Sequence, residues 1–299
     1  MDALKVITYN ISVFVQKNII MGSEKQFVER CVKRSKNKST DDCWKKTLNY
    51  ISKNIKDGVS IFAFQEVVSN TKNFKLLKKL FNKNEWHICI SDPNKGGPFK
   101  AQVATFIKKN LGKIDSVYEF DIDNGRPCQI ININNLILIN AHFPQPLTSY
   151  AKTYTKEKNS KVRRTKSFNK LGKMIYSKLD KKLKKTLKNK EFLMPNIKHK
   201  LLSCCHLDNK STKKIPLVRA SDYILTPKDQ LLKVVNLVSE DTGGSDHNPV
   251  KATFIDNNEK NNSNNSNIIL MADTNLGNRK HQGGLAKIWI DGKLGIAIK

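Results

Sequence analysis

No run of about 18 apolar residues, the length a membrane-spanning helix requires, occurs anywhere in the 299-residue sequence. The opening MDALKVITYNISVFVQ has neither a basic start nor a long apolar stretch, so it does not read as a secretory signal. Six cysteines, Cys31, Cys43, Cys89, Cys128, Cys204 and Cys205, show no C-x-x-C spacing, and the adjacent pair is poorly placed for an ordinary bridge. They read as reduced thiols. These absences together predict a soluble intracellular protein, cytoplasmic or nuclear, with no membrane span. Acidic residues are scarce as well: 26 Asp+Glu stand against 54 Lys+Arg, a formal net charge of +28. A surface this positive favours phosphate-rich partners, with nucleic acid (DNA or RNA) the first to consider. The excess is mostly lysine, in company with abundant asparagine and isoleucine, which a biased coding composition also produces. Oligomeric state is not legible.

A chain of this length buries roughly 75% of its unfolded surface, enough for one large α/β domain or two small ones. Short Ile/Val/Phe-rich runs alternate with longer amphipathic, lysine-rich segments, the pattern of a layered α/β protein. Strands are expected over 4–9, 60–65, 86–91, 102–107, 129–133, 136–141, 223–225 and 250–254, and helices over 26–34, 42–53, 71–80 and 162–187. In the last of these, Phe168, Leu171, Met174, Ile175, Leu179, Leu183 and Leu187 recur at helical spacing among lysines. Such a charge run is ordinarily a solvated face, although it also suits a phosphate backbone. The organisation read from composition is a core over 1–255, a flexible Asn/Ser-rich linker over 256–267 and a final segment, 268–299. That segment opens with a buried-strand-like run, IILMADTN, and closes with a strand-like KLGIAIK.

Four apolar runs end on a polar residue: VITYN at Asn10, IFAFQE at Glu66, ILINAH at His142, and IILMADTN at Asp273 and Asn275. ASDYIL and GGSDHNPV add Asp222, Asp246 and His247. Any one such Asp or Asn is ordinarily a turn or cap residue, and a lone His beside Phe143 or Pro249 is ordinarily a satisfied loop residue. Buried strands that all stop at carboxylates, an amide and an imidazole instead describe one cleft at a shared sheet edge. Cys204, Cys205 and His206 lack a second ligand pair for zinc and read as core packing. His199 and His281 have no nameable partner.

The set resembles the endonuclease/exonuclease/phosphatase superfamily, which includes pancreatic-type deoxyribonucleases, abasic-site endonucleases, tyrosyl-DNA phosphodiesterases, sphingomyelinases and inositol polyphosphate phosphatases. TYN, FQEV, NAHFPQ, SDYIL and SDHNPV follow the family's order, ADTN matches its G-D-x-N, and Gly125-Arg126-Pro127 before a strand adds to the likeness. The resemblance implies a four-layer α/β sandwich of two packed, mostly antiparallel sheets with helices outside. It also implies Mg²⁺, with Mn²⁺ as an alternative, because hard cations prefer oxygen ligands.

Residue by residue, the resemblance implies Glu66, Asn10 and Asp246 on the metal side, and Asp273 orienting or activating the attacking water. Asn275 and Arg126 would contact phosphate oxygens. His247 would serve as general base or as a phosphate-binding imidazolium, its tautomer fixed by Asp222, and His142 as general acid or phosphate ligand. In the family the D-x-N strand precedes the SDYIL-type segment; here it follows SDHNPV. About 13 linker residues at ~3.3 Å each span on the order of 40 Å, enough to return the tail strand to its usual slot. The implied activity is metal-dependent phosphodiester hydrolysis, with a nuclease first, and DTNLG is similar to the DTNLR-type loop of tyrosyl-DNA phosphodiesterases. A lipid or small-molecule phosphoesterase is the alternative. A third reading is a weakly active nucleic-acid-binding relative, which would follow if the displaced tail left Asp273 outside the site.

Overall fold

The computed structural model describes residues 3–19, 25–34, 39–96, 99–121, 125–143, 190–193, 222–227, 230, 232–256, 267–273, 285–290 and 294–298. The expected helix over 162–187, residues 257–266 of the linker, Asn275, His199, His206 and His281 lie outside them, as do Cys204 and Cys205. Strands β1 (Leu4–Asn10), β2 (Ile61–Val67), β3 (Trp86–Ile90) and β4 (Gln102–Lys108) share one six-stranded sheet with β10 (Leu232–Ser239) and β11 (Val250–Asp256), in the order β10-β11-β1-β2-β4-β3. The second sheet is built from β5 (Ile114–Asp121), β6 (Pro127–Ile133), β7 (Leu136–His142), β9 (Asp222–Pro227) and β12 (Asn267–Asp273). It is extended by β8 (Lys190–Leu193), β13 (Leu285–Ile290) and β14 (Leu294–Ile298), giving the order β14-β13-β8-β9-β12-β7-β6-β5. One neighbouring pair in each sheet is parallel, β1 with β2 and β12 with β7; the others are antiparallel.

Period-2 alternation sends each strand's side chains to two different cores. Ile7, Tyr9, Phe62, Phe64, Ala104 and Phe106 point to a helical layer made of α1 (Val13–Lys17), α2 (Lys25–Arg34), α3 (Asp41–Lys56) and α4 (Lys72–Lys79). Val6, Ile61, Ala63, Ile107, Ile131, Leu138, Ile224, Ala252, Ile269 and Met271 meet between the sheets. The architecture is an α/β sandwich of two packed sheets. Helix ends follow local chemistry. Asp41 and Asp42 open α3 and Lys53 and Lys56 close it, complementing the helix dipole, and the Thr71 hydroxyl caps α4 by accepting Phe74 N–H at 3.1 Å. Asn134, at φ 51°, makes the two-residue turn from β6 to β7 possible.

The expected strands are present, with small shifts at their ends. Strands β5, β8, β10 and β13 and helix α1 were not anticipated: β5 and β10 are half-exposed and polar along one face, β8 has only four residues and α1 only five. The cysteine reading needs correction. Cys31 of α2 and Cys43 of α3 form a disulfide, their Cα atoms 5.6 Å apart, while Cys89 and Cys128 are free. Two helices crossing over one sheet brought together cysteines whose spacing carried no motif. The cysteine argument for a reducing compartment therefore does not hold. No helix among the described residues is long and apolar enough to cross a membrane.

Candidate active site

The parity that fills the inter-sheet core also builds the site. Asn10 continues the face of Val6, His142 that of Leu138, Asp273 that of Ile269 and Met271, and Asp222 that of Ile224. Asn10, His142 and Asp273 are the last residues of their strands, and Asp222 is the first residue of the antiparallel β9, so all four lie at the same edge of the sandwich. In register, Asp273 lies beside His142 on one side and beside Asp222 on the other. Strand β12, which comes after SDHNPV and β11 in sequence, is thus placed between β7 and β9, and Asp273 is fully buried there.

The Asn10 carboxamide donates to Asp273 Oδ2 at 2.8 Å and accepts the Ser12 N–H on Oδ1 at 3.0 Å. Asp273 Oδ2 also faces His142 Nε2 at 3.5 Å and His247 Nε2 at 3.8 Å. His142 Nε2 lies 3.5 Å from Glu66 Oε1, so a single ring connects the two carboxylates. Arg126 Nη1 sits 2.9 Å from Nε2 and 3.1 Å from Nδ1 of the same ring. A point so nearly equidistant from both nitrogens lies over the ring face, because an in-plane approach would run into Cε1. His247 donates from Nδ1 to Asp222 Oδ2 at 2.9 Å, which turns Nε2 toward Asp273 and Asp246, the latter at 4.0 Å. The loop carrying Asp246 and His247 is seated on α3: a Cβ on Gly244 would run into the Thr47 side chain and backbone nitrogen. All the described candidates except Arg126 are buried.

Burial sets the protonation states apart. His142 is held well below its ordinary 6.5 by desolvation, then by Arg126 and His247, so the ring is neutral. Burial alone would lower His247 too, but Asp222, Asp273 and Asp246 outweigh it and hold that ring well above 6.5. Asp246 is raised by burial, with His247 opposing and Glu66 adding to the rise. With His142 neutral, a general-acid role would require the ring to gain a proton as an anionic substrate binds. A charged His247 favours phosphate binding over general-base work.

The donor set fits a hard divalent cation. Glu66 and Asp246 are buried carboxylates that repel one another, and Asn10 Oδ1 keeps a second lone pair beyond its bond to Ser12. Donor atoms of Asp222, His247 and Asp273 also lie within 4.8 Å of one another. A cation there would compete with the Asp222–His247 hydrogen bond, so the Glu66 side is the better seat.

Two residues escaped sequence reading. Ser12 caps α1, accepting Val15 N–H at 3.3 Å, and Gln16 is buried against β2. Nothing in ISVFVQ marks Gln16, because its partners Glu66 O and Val68 N–H are backbone groups distant in sequence, whereas Ser12 caps a helix too short to be read from its pattern. Glu66 has an unusual backbone, with φ 57°. That left-handed conformation costs a residue with a side chain about 1–2 kcal/mol.

No family model matches the sequence, and no curated protein does. Among solved structures, an endonuclease/exonuclease/phosphatase family protein from Bacteroides thetaiotaomicron is similar at TM-score 0.50 and 13% identity, over 87% of this chain and 98% of that one. D. rerio TDP2 complexed with single strand DNA product is similar at TM-score 0.50 and 13% identity, over 85% and 100%. At such identities the likeness is one of fold.

Proposed function

From the endonuclease/exonuclease/phosphatase fold that this chain has, we infer a divalent-metal-dependent phosphodiesterase whose substrate is nucleic acid. The observation that supports it best is convergence: Asn10, Glu66, His142, Asp222, Asp246, His247 and Asp273, from separate segments, form one buried polar cluster at one sandwich edge. The Asn10–Asp273 contact also favours a working site over a binding-only relative. The net charge of +28 suits a polyanion, and one neighbour in fold, the D. rerio TDP2, holds single strand DNA product.

Glu66, Asp246 and Asn10 would hold the cation, Mg²⁺ or Mn²⁺, which when bound supplies charge neutralisation for a phosphodiester. Asp273, fixed by Asn10 and flanked by two imidazoles, orients the attacking water and takes its proton. His247, kept charged and aligned by Asp222, contacts a nonbridging phosphate oxygen as that oxygen gains charge. Neutral His142 keeps Glu66 and Asp273 apart and in place, while Arg126 closes over it toward the phosphate. Asn275, two residues beyond Asp273, is assigned a phosphate oxygen by resemblance alone.

The test is cleavage of a supercoiled plasmid and of a single-stranded oligonucleotide with Mg²⁺, with EDTA, and with Glu66→Gln and Asp273→Asn. Metal-dependent cutting that falls by roughly 10²–10⁴-fold in both variants, with thermal stability kept, is expected. No cutting of either polymer by the wild type, alongside hydrolysis of inositol phosphates or sphingomyelin, would overturn the nucleic-acid assignment.

A further inference from the structure

The β2–β4 ladder has one residue too many on β2. Phe64 lies opposite Ala104 and Val67 opposite Gln102, so three steps on one strand meet two on the other. In a regular strand Glu66 would follow Phe62 and Phe64 into the helical layer. Instead the bulge takes φ to 57° at Glu66 and sends the carboxylate toward His142 Nε2, while Val67 resumes the helix-facing row. A left-handed glutamate persists only where its surroundings over-determine it.

We propose that Gln16 is a positioning residue whose buried carboxamide locks this bulge and thereby turns Glu66 into the site. The proposal rests on the reading of Glu66 as a metal-side ligand. Gln16 Nε2 donates to Glu66 O at 2.7 Å and to Ser12 O at 3.1 Å, and Gln16 Oε1 accepts Val68 N–H at 3.0 Å. One planar amide thus satisfies the carbonyl of the kinked residue and the amide two residues on, the backbone groups on either side of Val67, where regular pairing resumes. The same five-residue helix donates Val13 N–H to Glu66 Oε2 at 3.0 Å. Helix α1 therefore grips Glu66 at both backbone and carboxylate, and Ser12, two residues beyond the strand that ends at Asn10, is tied to the same amide. The pairing demands glutamine: a methionine of equal length has no donor and only a weakly accepting sulfur, and an asparagine does not reach. Gln16 is 4% exposed, so water cannot take over these bonds.

The comparison is among wild type, Gln16→Met, Gln16→Asn and Phe81→Leu, the last a buried change in the same helical-side core, where Phe81 packs on Phe62, Trp86 and Phe106. Mn²⁺ alone is titrated by calorimetry without substrate, turnover of a p-nitrophenyl phosphodiester is measured at saturating Mn²⁺, and amide exchange is followed in the metal-free protein. Both Gln16 variants are expected to bind Mn²⁺ roughly 10- to 100-fold more weakly and to lose kcat in similar proportion, with KM within about twofold. Val13 N–H exchange quickens in them while that of the backbone amide at position 16, bonded to Ser12 O, keeps its protection. Phe81→Leu changes none of these. Gln16 variants indistinguishable from Phe81→Leu in Mn²⁺ affinity and Val13 exchange would overturn the proposal. A wild type that binds no Mn²⁺ would remove the metal reading, and Val13 exchange would then decide the role of Gln16 by itself.

Discussion

Ending the chain after Asp256 removes β12 from the middle of a sheet, where it is hydrogen-bonded to β7 on one side and β9 on the other. Of its side chains, Ile268, Ile269 and Met271 are 0% exposed and Leu270 is 2% exposed. At about 1.5–3 kcal/mol for each large apolar side chain, these four account for roughly 6–12 kcal/mol as an upper estimate. Whole domains are stable by about 5–15 kcal/mol. Truncation is therefore expected to abolish cooperative folding, read as loss of the near-ultraviolet circular dichroism and of a urea transition. Adding residues 257–299 as a separate fragment should restore both, since the slot is defined by the edges of β7 and β9. A finer perturbation, Met271→Asp, puts a carboxylate between the sheets and should have a similar effect in the intact chain. A truncated chain with the full-length urea midpoint would show that β12 is an appendage and refute the reasoning.

Two titrations and one bridge give the remaining expectations. His142 is neutral when folded, whereas an unfolded chain protonates it below about 6.5. Its folded value is depressed, so its contribution is present above 6.5 and is lost as pH falls through and below it; His142→Gln should flatten the acid side of a urea-midpoint-versus-pH curve, and an unchanged slope would refute the assignment. His247 has the opposite sign, its stabilisation being full below 6.5 and lost as pH rises through its raised folded value, so Asp222→Asn should move the alkaline decline to lower pH. Reducing Cys31–Cys43, 12 residues apart, should cost about 3 kcal/mol by loop entropy, seen as a Tm drop that Cys31→Ser reproduces and that reductant does not deepen.

Much of the site was legible because Asn10, Glu66, His142 and Asp273 each end a run of apolar residues, and local pattern reports where a strand leaves the core. Asn10, His142, Asp222 and Asp273 also share the parity of their strand's inter-sheet face, which a period-2 reading can find. Glu66 breaks that parity, and no sequence rule predicts the bulge that re-aims it. Gln16 was invisible for a related reason: it binds backbone atoms, which every residue has. The Cys31–Cys43 bridge was misread because cysteine spacing is informative only where both cysteines serve one local motif; here two helices meet over a sheet.

By itself the sequence determined which chemical groups are available and that they lie at the ends of buried strands, since hydrophobic period and residue chemistry are local properties. Tertiary structure alone decided that a strand following Asn267 lies between β7 and β9, that Glu66 turns toward His142, and that one buried histidine is neutral while the other is charged. These depend on which strands pair across long loops and on the sum of charges brought together there, quantities that exist only once the chain has folded.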